Sequence, residues 1–385
     1  MKPLSNISVL DLTINVPGPF CSMTLRDLGA RVIKVEPPGG DPLRHASGMW
    51  AGLNRGKQSI VLDLKTDEGR QLLGQLALKA DVVLEGWRPG VAQRLGADYA
   101  SLSAQNPGLV YCSISGFGQD GPWRDRPAHD INYLALSGYL AVQASVEGRP
   151  WPPPILVTDL ASGLYAATMV LAAINGRHAS GSGAYVDLSM TDVAVSLLGP
   201  EIGGLTEEGV GNRQPNVSFI PHYGVFQCAD GRWFSLGIVH EDHFWDRFCS
   251  AAGLDDLVGV KFRQRVALGD RLVQRLSATF LSLPSEEWER RLTEADVPAA
   301  KIVELDDIFD SPQLRSRGVF VDDGDHRFVA QPARFSTGSI APSQGPPTLG
   351  QHSDMILKEL GHSSAEVVRL GESGALGVIE GQVLS

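Results

Sequence analysis

Cysteine is scarce in this chain of 385 residues: there are four, Cys21, Cys112, Cys228 and Cys249, and no two form a C-x-x-C pair. That spacing excludes both a disulfide framework and a zinc ribbon, so a reducing compartment is expected. Positive charge is also in short supply. Lys plus Arg number 33 against 44 Asp plus Glu, a net charge of −11 that disfavours a sequence-independent grip on phosphate backbones or anionic membranes. No stretch reaches the roughly eighteen apolar residues expected of a membrane span, and the opening MKPLSN lacks a basic region followed by an apolar run. The expectation is a cytoplasmic protein with neither nucleic acid nor membrane as a partner. What is abundant is Gly (43) and Pro (24), in a chain 43% hydrophobic and 20% charged, which reads as a soluble globular protein with many sharp loops. At roughly 100–200 residues per domain, the length predicts about two domains.

Along the chain, short apolar runs alternate with helical patterns. Residues 7–12 (ISVLDL) stop at a Pro17-Gly18-Pro19 loop, a helix is predicted over 22–28, and 30–36 (ARVIKVE) reads as a second strand. Strands follow at 59–64, 81–85, 108–115 and 184–190, with helices at 66–79, 159–174 and 192–198. Strands alternating with helices mean a mostly parallel sheet covered on both faces. The character changes after about residue 200. Residues 201–216 are rich in Gly, Glu and Asn and read as linker, then 223–228 and 232–239 form a hairpin around Asp230-Gly231, followed by helices at 241–252, 268–282 and 285–295. Residues 322–347 are rich in loops, and a last helix is predicted near 352–360.

Three motifs invite chemistry. Residues 116–121 (GFGQDG) fit G-x-G-x-x-G after a strand, but Pro122 and Pro127 interrupt the helix that a dinucleotide site needs, so a glycine-rich loop with another task is favoured. His240-Glu241-Asp242-His243 lacks H-E-x-x-H spacing, and four polar residues at a helix start serve as caps, so no metal is expected. No G-x-S-x-G elbow is present. More informative are His129 and Asp159, each at the start of an apolar helix, 131–140 and 160–174. A carboxylate there either caps the helix or reacts, as base or nucleophile, beside N–H groups that stabilise developing charge; spacing leaves both open.

Five segments together resemble the class III CoA-transferases, the family that includes the alpha-methylacyl-CoA racemases: VLDL at 9–12, GARVIKVEPPGGDP at 29–42, LEGWRPG at 84–90, GFGQDGP at 116–122 and SPQLRSRG at 311–318. The resemblance runs nearly end to end. It implies an α/β fold with a Rossmann-like large domain carrying a parallel sheet, a smaller α+β domain, and an interlocked homodimer. With the linker reading, the boundaries become 1–200 for the large domain, 201–222 linker, 223–308 small domain, 309–330 return linker, and 331–385 packing back on the large domain.

The resemblance further implies acyl-CoA and carboxylic acid substrates, with coenzyme A present only as part of the substrate and no other cofactor. CoA would be held near Val16, Leu62, Lys65, Trp87, Arg88, Arg94, Asp130 and Tyr133, where arginine suits phosphate. Many members carry Arg where this chain has Pro37, which leaves one nucleotide contact unassigned. Asp159 matches the family's catalytic aspartate. In transferases it attacks the thioester to form an acyl-aspartyl anhydride; in racemases it is an acid or base at the alpha carbon, paired with a histidine. His129, with Glu241 where racemases place a glutamate that orients the histidine, resembles the racemase pattern; DLASGLYA at 159–166 resembles the transferase one. Residues 208–212 (EGVGN) resemble a shortened form of the glycine loop that shields the anhydride in transferases. The expected function is CoA transfer to a carboxylic acid, with alpha-methylacyl-CoA racemisation by His129 and Asp159 as the alternative and a non-catalytic CoA-binding subunit as a remote one.

Overall fold

A computed structural model describes residues 2–208, 219–324, 326–336 and 344–376. The chain forms two compact units, one of Met1–Leu140, Pro152–Leu198 and Pro312–Ser385, the other of Ala141–Trp151 and Gly199–Ser311.

The first unit is built on a six-stranded sheet. Its strands are β1 (Ser8–Asp11), β2 (Arg31–Glu36), β3 (Gln58–Val61), β4 (Val82–Glu85), β5 (Val110–Ser115) and β6 (Ala184–Ser189), in spatial order β3-β2-β1-β4-β5-β6. All five pairings are parallel. Successive residues of a strand point to opposite faces, so each apolar run supplies two cores at once. Leu10, Ile33, Ile60 and Val83 pack on one face with Leu72, Leu73 and Leu76 of the helix Asp67–Leu78 and with Ile356 and Leu357. Val9, Val32, Val82 and Val110 pack on the other, with Leu25 of the helix Pro17–Asp27 and Ala166 and Val170 of the helix Val157–Ser180. Burying each such Leu or Val contributes about 1.5–3 kcal/mol before chain entropy is counted. The strand order reverses between β1 and β4, and a parallel sheet opens its binding crevice there, beyond the carboxyl ends of the strands.

The second unit carries an antiparallel sheet of β7 (Tyr223–Gln227), β8 (Trp233–Gly237) and β9 (Ala299–Lys301). Its hairpin turns at Gly231, whose φ of 77° suits glycine. The core is aromatic: Phe226 stacks on Phe280 with centroids 5.0 Å apart, and Phe234, Trp245, Phe248 and Trp288 complete it.

Several local expectations are corrected. The Pro17-Gly18-Pro19 loop is the first turn of the helix Pro17–Asp27, because proline at the first helical positions gives up only an N–H that has no partner there. The helix expected over 131–140 breaks at Gly138 (φ 93°) into Asp130–Ser137 and Tyr139–Glu147. The linker reading over 201–222 meets a helix, Gly199–Glu208, whose first turn holds Glu201 in favour with the helix dipole. The return linker and loop reading near 309–330 meets an antiparallel hairpin, Phe320–Asp323 with His326–Val329. The glycine loop at 208–212 falls largely outside the described residues.

Candidate active site

The strands of the first unit deliver their loops to one cavity of about 800 Å³. Thr13–Val16 arrive after β1, Gly86–Pro89 after β4, and Ser115 and Gly116 from β5, while His129, Asp130, Tyr133 and Asp159 come from two helix starts. A smaller cavity of about 330 Å³ is lined by Leu62, Lys65, Pro37 and Leu95; Ile14 and Trp87 line both.

Asp159 lies in the first turn of the helix Val157–Ser180, not at its cap position. The cap comes from another helix: Asp130 Oδ1 accepts the backbone N–H of Thr158 at 2.7 Å and of Asp159 at 3.0 Å. Two orphan donors of the helix are thereby satisfied by a side chain 28 and 29 residues away. The Asp159 carboxylate itself accepts no side-chain hydrogen bond among the described residues. Burial, and then the neighbouring Asp130 charge, push its pKa up to about 7. A carboxylate so placed exchanges protons near neutrality and, once ionised, is a nucleophile whose lone pairs are not tied up.

Tyr133 is buried, and its hydroxyl donates to Ala128 O at 3.1 Å. Burial, with Asp159 adding to it, holds the phenol at about 12, so it stays a donor. This ring explains the first glycine of the 116–121 motif. A Cβ at position 116 would sit 2.5 Å from the Tyr133 hydroxyl oxygen. No helix follows Gly121 until Asp130. His129 precedes that helix, its backbone N–H donating to Asn132 Oδ1 at 3.0 Å, and the residue is exposed to the cavity.

The loop after β4 is set by Glu85. Its buried carboxylate accepts the Trp87 N–H at 2.8 Å, and burial raises its pKa against the pull of the Ser113 hydroxyl and that N–H. The loop after β1 rests on a buried charge network. Lys57 Nζ lies 3.1 Å and Ser22 Oγ 2.6 Å from Asp11 Oδ2; Lys34 Nζ donates to Thr13 O at 2.8 Å and pairs with Asp41 at 3.0 Å. Burial works to raise the Asp11 pKa, but Lys57, Lys34 and the Ser22 and Thr13 hydroxyls outweigh it and hold the carboxyl well below the usual range. Asn15 takes a left-handed φ of 62° in this loop, with its N–H 3.4 Å from Asp41 Oδ1.

Of the residues expected from sequence, Val16, Trp87, Arg88, His129, Asp130, Tyr133 and Asp159 share the larger cavity, and Leu62, Lys65 and Trp87 line the smaller. Arg94 lines neither; it is exposed on the short helix Val91–Arg94, beside Leu95. Glu241 belongs to the second unit, where it precedes the helix Asp242–Ala252 and accepts the Val239 N–H at 3.0 Å. Beside it Asp242 pairs with Arg265 at 2.7 Å and Lys261 at 3.2 Å. The reading from sequence missed Arg124 and Arg126 in the larger cavity, and the support of Asp11, Lys34 and Lys57. A signal for the latter was present, in charges interrupting the apolar runs of β1 and β2.

The chain matches CoA-transferase family III over residues 4–353. A succinate–glutarate CoA-transferase of Agrobacterium fabrum is 34% identical over 392 residues, spanning 93% of this chain and 96% of that protein. An alpha-methylacyl-CoA racemase of Homo sapiens is 31% identical, spanning 95% and 96%. The crystal structure of a CAIB/BAIF family protein from Brucella suis superposes with a TM-score of 0.84 at 29% identity, over 93% of this chain and 99% of that one. The cavity at the sheet's switch point and these matches agree: the chain belongs to CoA-transferase family III, and it is an enzyme of the CoA-transferase class.

Proposed function

We propose that the protein moves CoA from an acyl-CoA thioester to a carboxylic acid, with Asp159 as nucleophile. The observation that carries this reading is a carboxylate in the larger cavity, beside a capped helix start, with no side chain among the described residues donating to it. The ionised Asp159 oxygen attacks the thioester carbonyl, the C–S bond breaks, and CoA leaves as thiolate; the product is an acyl-aspartyl anhydride. The thiolate then attacks the aspartyl carbonyl and releases the first acid as its carboxylate. The incoming carboxylate attacks this aspartyl thioester, expelling CoA thiolate again and forming a second anhydride. Attack of the thiolate on its acyl carbonyl yields the new acyl-CoA and regenerates Asp159. In this reading the nucleotide end of CoA takes the smaller cavity at Leu62 and Lys65, and the thioester arm passes Trp87 and Arg88 to reach Asp159.

An interlocked homodimer is part of the proposal. What supports it is apolar surface on the first unit: Leu164, Tyr165 and Met169 of the helix Val157–Ser180, and Val195 and Leu197 after it, are all exposed.

His129 and Asp159 line one cavity, which favours proton exchange at the alpha carbon as the second reading. One experiment separates them: incubation in deuterated water with a 2-methylacyl-CoA, succinyl-CoA and a panel of free acids, followed by mass spectrometry of every CoA ester. A new thioester matching a supplied acid supports transfer. Deuterium at the alpha carbon without acyl exchange overturns it in favour of racemisation, and His129→Ala would then abolish exchange from one face.

A further inference from the structure

The larger cavity holds two cations for which the transfer steps have no use. Arg124 and Arg126 line it from the loop between Gly121 and His129. This loop is held in shape, with Pro122 and Pro127 at its ends and the Arg126 N–H donating to Trp123 O at 2.8 Å. The Arg126 guanidinium lies 5.4 Å from the Trp123 ring centre, Trp123 meets Phe117 edge-on at 5.7 Å, and Phe117 meets buried Tyr133 at 5.6 Å. A guanidinium backed by such a chain of rings is preoriented.

Among the described residues, neither arginine has a carboxylate within hydrogen-bond distance. The carboxylate paired with Arg124 is its exposed neighbour Asp125, at 3.7 Å, beyond hydrogen-bond distance, and Arg126 has no ion pair among the described residues. The acidic groups lining the cavity are Asp130 and Asp159. Asp130 is engaged by two backbone N–H groups, and no arginine offsets the effect of burial on Asp159. The cavity thus presents unneutralised guanidinium charge apart from the reacting carboxylate.

The CoA phosphates are not the natural occupants of this pair. Neither arginine lines the smaller cavity, whereas Arg88 directly follows Trp87, which lines both cavities. Both arginines are partly open to water, and a monocarboxylic acyl chain would engage neither, whereas a second carboxylate accepts charge-assisted hydrogen bonds from both.

We propose that Arg124 and Arg126 form a subsite for the distal carboxylate of a dicarboxylic acyl group, so that the enzyme transfers CoA between dicarboxylic acids. This deepens the transfer reading above and rests on it.

The test is a competition. Purified enzyme receives succinyl-CoA with equimolar glutarate and valerate, two five-carbon acids that differ in the second carboxylate, and the initial ratio of glutaryl-CoA to valeryl-CoA reports the ratio of their kcat/KM values whatever the donor step does. The wild type is expected to favour glutaryl-CoA by about tenfold or more, and Arg124→Gln with Arg126→Gln to cut that ratio by about tenfold, with Arg126→Lys intermediate. A ratio near one in the wild type overturns the subsite without reference to any variant. A ratio that survives the double substitution while both rates fall overturns it too, and returns the arginines to the CoA moiety. Formation of neither ester, with the donor intact, would instead remove the transfer reading and this one with it.

Discussion

The Asp130 carboxylate accepts the backbone N–H of Asp159 at 3.0 Å, so one acidic side chain both caps the helix carrying another and lies close enough to raise its pKa. The two effects oppose each other in purpose. The cap stabilises the fold, while the charge makes Asp159 harder to ionise, and they are separable by substitution.

Asp130→Asn keeps an acceptor oxygen for the Thr158 and Asp159 N–H groups but removes the charge. Stability is expected to change little and the acid limb of the rate profile to move to lower pH. Asp130→Ala loses the cap as well, at about 0.5–2 kcal/mol, measurable by urea denaturation. An unmoved limb in both variants would show that the Asp130 charge does not act on the reacting group.

Asp159→Asn is expected to lower transfer by roughly a thousandfold or more, since no nucleophile replaces it. In the wild type, transfer should rise with pH through about 7 as the carboxylate ionises.

The same shift has a sign for stability. Between the ordinary carboxylate range and about 7 the native state binds more protons than the unfolded chain at Asp159, so the contribution of this group is present at low pH and lost as pH rises through about 7. Asp159→Asn should therefore raise Tm relative to wild type more at pH 8 than at pH 5, by calorimetry.

Lys57→Met breaks the buried pair with Asp11 and leaves its carboxylate beneath the Thr13–Val16 loop without its direct ammonium partner, with only the more distant Lys34 charge and two hydroxyls in support. The expected cost is about 3–5 kcal/mol, read from the urea midpoint. The charge of Asp11, held low in pKa, supports the fold above the ordinary carboxylate range and is lost as pH falls through its lowered value.

Gly116→Ala puts a methyl 2.5 Å from the Tyr133 hydroxyl oxygen. A loss of about 1–3 kcal/mol is expected, and Tyr133→Phe in the same chain should recover part of it by removing that oxygen. No recovery would mean that the clash lies with the ring carbons that Phe keeps, the nearest at 2.9 Å, or in the backbone.

The strands β1 to β6 were legible because each is a short apolar run bounded by Gly, Pro or a charge, and the hairpin at Asp230-Gly231 because its turn demands residues of that kind. Helix ends were less legible. Pro17 and Gly138 each carry two meanings, start or stop, and the choice depends on what packs against them. Asp159 and His129 were found through the motifs around them, which spacing alone could not rank.

By itself the sequence determined the alternation of elements, the two faces of the parallel sheet, the family resemblance and the candidate carboxylate at Asp159, because these follow from local periodicity and contiguous motifs. Only the tertiary structure decided that Asp130 caps the Asp159 helix, that Lys57 and Lys34 hold Asp11 ionised beneath the first loop, and that Arg124 and Arg126 face the same cavity as Asp159. Each of these joins residues far apart in the chain, and both a pKa and a binding pocket are set by what lies near in space.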